Sequence, residues 1–170
     1  MKFIVLSLFL LLSLPSKSTQ ISDIFGNGAF NAKWGDSLSD IKHIFPDGKV
    51  KKYVGIVNYE VKDGRKILGY ERDKNSLIRF TFDSEGRLNA IAANFDSNGY
   101  SHLLVKLNTL FGRNSPPDPN NNYAFIKWPK DKEIEISLLM IPSGFGIKTS
   151  FMIQYFGLDK PKVSKEELGF

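Results

Sequence analysis

A chain of 170 residues, 42% hydrophobic and 13% aromatic, carries enough apolar material for one packed domain or two small halves sharing a core. That composition excludes a disordered or low-complexity chain, and the absence of cysteine excludes disulfide staples and a lipid-modified cysteine. The formal charge of +5 is a mild surplus of scattered basic residues, which argues against nucleic-acid binding.

Residues 1–18 read as an export signal. Met1-Lys2 is a short basic start, and the twelve residues from Phe3 to Leu14 are almost wholly apolar. Small residues at Ser16 and Ser18 fit a leader-peptidase site. The run is too short for a spanning helix, which needs about 20 residues. Without Lys2 and Lys17 the 23 basic residues become 21 against 18 acidic ones, a surplus of about three. The chain also holds no Asn-x-Ser/Thr sequon. These features point to a bacterial exported protein, periplasmic or secreted, with no membrane span after signal cleavage.

The domain is expected over residues 19–157, with 158–170 as a flexible tail. Residues 20–31 read as a lead-in, with Phe25 and Phe30 as anchors. Ser37 and Asp40 have capping-box spacing, Leu38, Ile41, Ile44 and Phe45 make an apolar stripe, and Pro46 ends this first helix. Residues 50–61 read as a strand, Asp63-Gly64 as a hairpin turn, and 66–72 as the returning strand. Residues 77–95 form the clearest hairpin. Ile78, Phe80 and Phe82 fall on one face, Arg79, Thr81 and Asp83 on the other, and Asp83 to Gly86 supplies the turn.

A second helix is predicted over 100–111. Leu103, Leu104, Leu107, Leu110 and Phe111 keep helical spacing, and Gly112 terminates it. A Pro- and Asn-rich loop over 113–122 follows, then strands over 123–128, 133–141 and 146–156. Each helix starts after a Gly and ends in Phe plus a breaker. The expected fold is therefore α+β: antiparallel sheet covered by two helices, a tandem repeat of helix plus β-meander with halves at 33–98 and 99–157. The two meanders join edge to edge or pack together.

The helix after Trp34-Gly35, the meander that follows, and the second round of both resemble small exported α/β binding domains. These are of the β-lactamase inhibitor protein and outer-membrane assembly lipoprotein E type. The chain departs from both in helix count per repeat, and it lacks the lipid-attachment cysteine and the disulfides. The resemblance implies a protein-binding module and carries over no particular residue.

Chemistry is thinly supplied. His43 and His102 sit on predicted helices beside apolar stripes, the ordinary place of a boundary histidine. Ser143 belongs to a turn rather than to a G-x-S-x-G elbow, and no zinc or calcium ligand spacing is present. Glu133 with Glu135, and Glu71 with Asp73, share strand faces where charged neighbours make a solvated surface the better reading than an acid–base pair.

The surplus is aromatic, and the expected binding residues are Tyr59, Tyr70, Trp128 and Phe145, exposed on a sheet face, a strand end and a loop tip. No catalytic residue, metal or cofactor is assigned. The expected function is an exported, non-enzymatic protein-binding module: an inhibitor, immunity-type or envelope adaptor that meets another envelope or secreted protein. The alternatives are a carrier of a lipid or other apolar ligand between helices and sheet and, less well supported, an envelope hydrolase.

Overall fold

A computed structural model describes residues 19–116, 124–144 and 146–158. The expected leader, Phe145, residues 117–122 of the Pro- and Asn-rich loop, and the tail from 159 onward lie outside the described residues.

The chain opens with a short helix α1 (Ile21–Phe25) and a small hairpin of β1 (Gly28–Ala29) and β2 (Ala32–Lys33). Helix α2 (Leu38–Ile44) follows, then the meander β3 (Lys49–Tyr53), β4 (Ile56–Lys62), β5 (Leu77–Phe82) and β6 (Leu88–Phe95). Helix α3 (Gly99–Phe111) leads into the second meander, β7 (Phe125–Lys127), β8 (Ile134–Ser143) and β9 (Gly146–Tyr155). All seven strands from β3 to β9 form one antiparallel sheet in the order β3-β4-β5-β6-β9-β8-β7. The last strands of the two meanders, β6 and β9, pair directly, so the meanders are joined edge to edge.

Local chemistry explains most of these elements. Ser37 caps α2: its hydroxyl accepts from the Asp40 amide at 3.2 Å, and the Asp40 carboxylate accepts from the Ser37 amide at 2.9 Å. The hydrogen bonds from Ser37 hold the Asp40 carboxyl below the usual carboxylate range. At the β5–β6 turn, Asp83 Oδ1 accepts from the amides of Glu85 and Arg87, both at 2.9 Å, while Gly86 takes the positive φ of 77°. A register shift between Thr81 and Phe82 then brings Leu88 opposite Phe82.

One face of the sheet is covered. A continuous row crosses it through Tyr59, Phe80, Ile91, Ile153 and Ile136, each opposite the next and none more than 1% exposed. Ile41 of α2 and Leu103 and Leu107 of α3 are fully buried in the same core. The Phe45 ring lies 5.1 Å from that of Phe80. Phe25 of α1 sits 6.2 Å from both Phe111 and Phe151, so the lead-in is anchored where the sequence places it.

Two expectations are corrected. Residues 50–61 are not one strand but the β3–β4 hairpin: Tyr53 pairs with Ile56, and Gly55 takes a φ of 72° at the turn between them. Asp63-Gly64 makes no hairpin, and 66–72 forms no strand. Instead Leu68 and Gly69 both take positive φ, 51° and 81°, and fold a tight bridge between Ile67 and Tyr70. The Asp63 amide then bonds to the Ser76 carbonyl at 2.8 Å, closing 63–76 into a loop that returns the chain beside β4.

Truncating the centre of the core, Phe80→Ala, is expected to cost about 3–5 kcal/mol by urea unfolding. Ser37→Ala removes only one cap bond and is expected to cost about 1 kcal/mol. A larger loss for Ser37→Ala than for Phe80→Ala contradicts this hierarchy.

Candidate functional site

The opposite face of the sheet is uncovered among the described residues: α2, α3 and the 63–76 loop all pack on the side that carries Phe80 and Phe95. Strand pairing lays one row across this open face with a residue from every strand: Lys49, Glu60, Arg79, Ala92, Met152, Ser137 and Lys127. Six strand spacings of about 4.8 Å make it roughly 29 Å long. A second row runs Lys51, Asn58, Thr81, Ala90, Gln154 and Glu135. Ala90, Ala92, Ser137 and Ser150 keep the middle of the face shallow, with Ala90, Ser137 and Ser150 buried among longer neighbours, and the larger apolar side chains are Met152 and, towards β7, Leu139 and Phe125.

The charges of this face are partly tied together. Glu60 accepts from Arg79 Nε at 2.9 Å and lies 2.8 Å from its Nη2, and Lys127 Nζ lies 2.7 Å from Glu135. Thr81 donates to Asn58 Oδ1 at 2.7 Å. Lys49, Lys51 and Lys148 form no ion pair among the described residues, so the face carries a positive surplus around a small apolar centre. An apolar middle with a charged rim is the usual anatomy of a protein-recognition surface.

None of the described aromatic candidates lies on it. Tyr59 is 1% exposed and projects into the covered face. Its hydroxyl donates to the Phe45 carbonyl at 2.5 Å and accepts from the Gly48 amide at 3.0 Å, which fixes the turn after α2. A side chain at Gly48 would collide with the Tyr59 ring. Trp128 is also 1% exposed, and its Nε1 donates to Asn108 Oδ1 at 3.1 Å and to the Gly112 carbonyl at 3.0 Å, pinning the end of α3. Both are therefore corrected from contact residues to core residues, because their polar tips find partners inside the fold.

Tyr70 is half-buried over the covered face. It meets Phe95 edge-on at 5.9 Å and donates to Asp96 Oδ1 at 2.6 Å. Phe145 lies outside the described residues.

The titratable groups are spread out. His43 is exposed on α2, and His102 Nε2 lies 3.0 Å from the Leu68 carbonyl, the tether of a helix to a loop. Glu133 pairs with Lys130 at 2.9 Å and Glu71 with Lys66 at 2.5 Å. Among the described residues no three His, Asp or Glu side chains gather as a metal site.

Arg72 is the unusual buried cation. Its Nε and Nη2 donate to the Asn94 and Leu77 carbonyls at 3.0 and 2.9 Å, and its guanidinium lies 5.1 Å from the centre of the Phe95 ring. Burial lowers its pKa, and Asp63 works the other way. This arginine staples the 63–76 loop to β5 and β6.

Clefts occur at the rim. One, about 610 Å³, is walled by Trp34 and Tyr155, stacked at 5.5 Å, with Lys33 and Arg87 beside them. No protein-family model matches the chain, and comparisons with curated proteins and with solved structures return no match.

Removing the internal hydroxyl in Tyr59→Phe is expected to lower stability by about 1–2 kcal/mol, and Trp128→Ala by about 3–5 kcal/mol. Unchanged unfolding midpoints would show that the rings are not core.

Tyr70 gives a pH signature. Its hydrogen bond to Asp96 pushes the phenol up to about 12 from 10.0, so the folded chain holds this proton more tightly than the unfolded one. That contribution is full below pH 10 and is lost between about pH 10 and 12. The urea midpoint of the unsubstituted chain should therefore fall more steeply over this window than that of Tyr70→Phe; parallel slopes overturn the assignment.

Proposed function

We propose that this chain is an exported, non-enzymatic protein-binding module whose uncovered sheet face docks on an acidic surface of another envelope or secreted protein. The observation that carries this reading is the open row from Lys49 to Lys127. It has a residue from each of seven strands, an apolar middle, and acids already engaged by Arg79 and Lys127. A rigid sheet presents such a row without ordering new backbone on binding, which keeps the entropic cost of association low. The surplus of Lys49, Lys51 and Lys148 selects an acidic partner and speeds encounter with it.

The leader-like residues 1–18 support export to the periplasm or beyond. The helix-then-meander order, met twice and closed by the β6–β9 pair, supports a tandem duplication. It also supports the likeness to the β-lactamase inhibitor and assembly-lipoprotein type of binding domain. Catalysis draws no support from the open face, where among the described residues Glu60 and Glu135 are ion-paired to Arg79 and Lys127.

The test is capture from the chain's own envelope fraction, with mass spectrometry of what is retained. One stoichiometric protein is expected. Ala92→Arg in the middle of the face, or Lys148→Glu at its rim, is expected to weaken capture by roughly tenfold or more with the unfolding midpoint unchanged. Capture indifferent to both substitutions overturns the reading. Recovery of lipid with no protein also overturns it, in favour of the carrier of an apolar ligand.

A further inference from the structure

The β3–β4 hairpin ends in an apolar tip that the fold does not require. Val54 is fully exposed, Tyr53 is 59% exposed and Ile56 47%. The turn needs glycine only at Gly55, whose φ is 72°; Val54 is not at positive φ, so any polar residue satisfies that position. Nothing lies within 4 Å of where a side chain on Gly55 would be, so the tip stands free of the body. The hairpin is also at the sheet edge, with β3 outermost.

The tip is collared by positive charge. Lys49 and Lys51 lie on the open-face side of β3 and Lys52 on the other; all three are exposed, and none forms an ion pair among the described residues. The stretch from Lys49 to Asn58 contains no acid. The acids nearest in the fold are engaged: Glu60 with Arg79 at 2.8 Å, and Asp83 with Arg87 at 3.0 Å. Asp47 precedes β3, at the end away from the tip.

We propose that this hairpin is a membrane-docking wedge: Tyr53, Val54 and Ile56 enter the interface of an anionic lipid bilayer while Lys49, Lys51 and Lys52 engage its headgroups. A convex tip of three side chains presents far less than the roughly 800 Å² per partner of a stable protein interface. A bilayer needs no complementary pocket and accepts such a tip as it is. Tyrosine at the boundary between apolar tip and basic collar matches its preference for the membrane–water interface, and apolar insertion combined with lysines is the usual chemistry of peripheral attachment. The wedge and the open face share the positive rim at β3, so a docked chain keeps its sheet centre beside the membrane surface.

The chain has no cysteine, so Val54→Cys places a unique thiol at the tip for an environment-sensitive fluorophore. Val105→Cys, at an exposed valine on α3, is the matched control. The full chain is mixed with vesicles of phosphatidylglycerol and phosphatidylethanolamine, and separately with phosphatidylcholine alone. The apolar 3–14 run contributes attachment of its own, so the local label rather than total binding is read.

On the anionic vesicles the label at 54 is expected to shift to the blue and become several-fold less accessible to aqueous iodide, while the label at 105 changes in neither respect. Adding Lys51→Glu and Lys52→Glu is expected to raise the lipid concentration needed for the shift by roughly tenfold or more. A tip label that stays fully quenchable on vesicle-bound chain overturns the proposal. So does an equal response on phosphatidylcholine, or a shift that occurs only when a protein partner is added.

Discussion

The pairing of β6 with β9 is the constraint on which the rest of the molecule depends. Six register pairs, from Ala90 opposite Gln154 to Phe95 opposite Thr149, turn two separate meanders into one sheet. Without them each meander leaves an apolar strand as an open edge, the arrangement that invites pairing with other chains. With them the edges of the joined sheet are β3, which is rich in lysine, and β7, which is three residues long. The same pairing aligns the inward side chains of both halves, so Phe80, Ile91, Ile153 and Ile136 become one row and share one cover of helices. One-sidedness follows: the helices and the 63–76 loop lie over that row, and among the described residues nothing covers the other face.

The aromatic surplus is spent on holding the cover in place. Tyr59 ties the turn after α2 to β4, Trp128 ties the end of α3 to the strand that follows, and Tyr70 joins the 63–76 loop to Asp96. Each ring fills volume in or beside the core and places one polar atom on a backbone or side-chain partner that would otherwise be left without one. Arg72 does the same with a guanidinium, at the price of burying a charge. A chain without disulfides gains its loop constraints from these internal polar contacts.

The open face differs in kind. Its central side chains, Ala90, Ala92 and Ser137, are short. Its charges sit towards the sides, where Glu60 and Glu135 are neutralised by neighbours and lysines remain over. Such a surface is mildly positive, and it differs from the apolar β3–β4 tip that projects beside it. One sheet thus carries two surfaces of different chemistry, a polar-rimmed face and an apolar hairpin tip.

The sequence by itself determined the α+β class, the two longer helices, the Ser37–Asp40 cap, the 77–95 hairpin and the strands near 133–141 and 146–156. In each case the information is local: period-two alternation, helical spacing, or a turn residue whose chemistry acts within four positions. It also separated Arg79 and Thr81 from Phe80 and Phe82, and so already marked the two faces. Tertiary structure alone decided that Val54-Gly55 turns the chain while Asp63-Gly64 does not, because both dipeptides suit a turn and only the pairing of β3 and β5 with β4 selects between them. It decided, too, that Tyr59 and Trp128 point inward. Alternation groups residues by face but does not say which face a helix will cover, and that choice rests on β6 finding β9 more than fifty residues away in the chain.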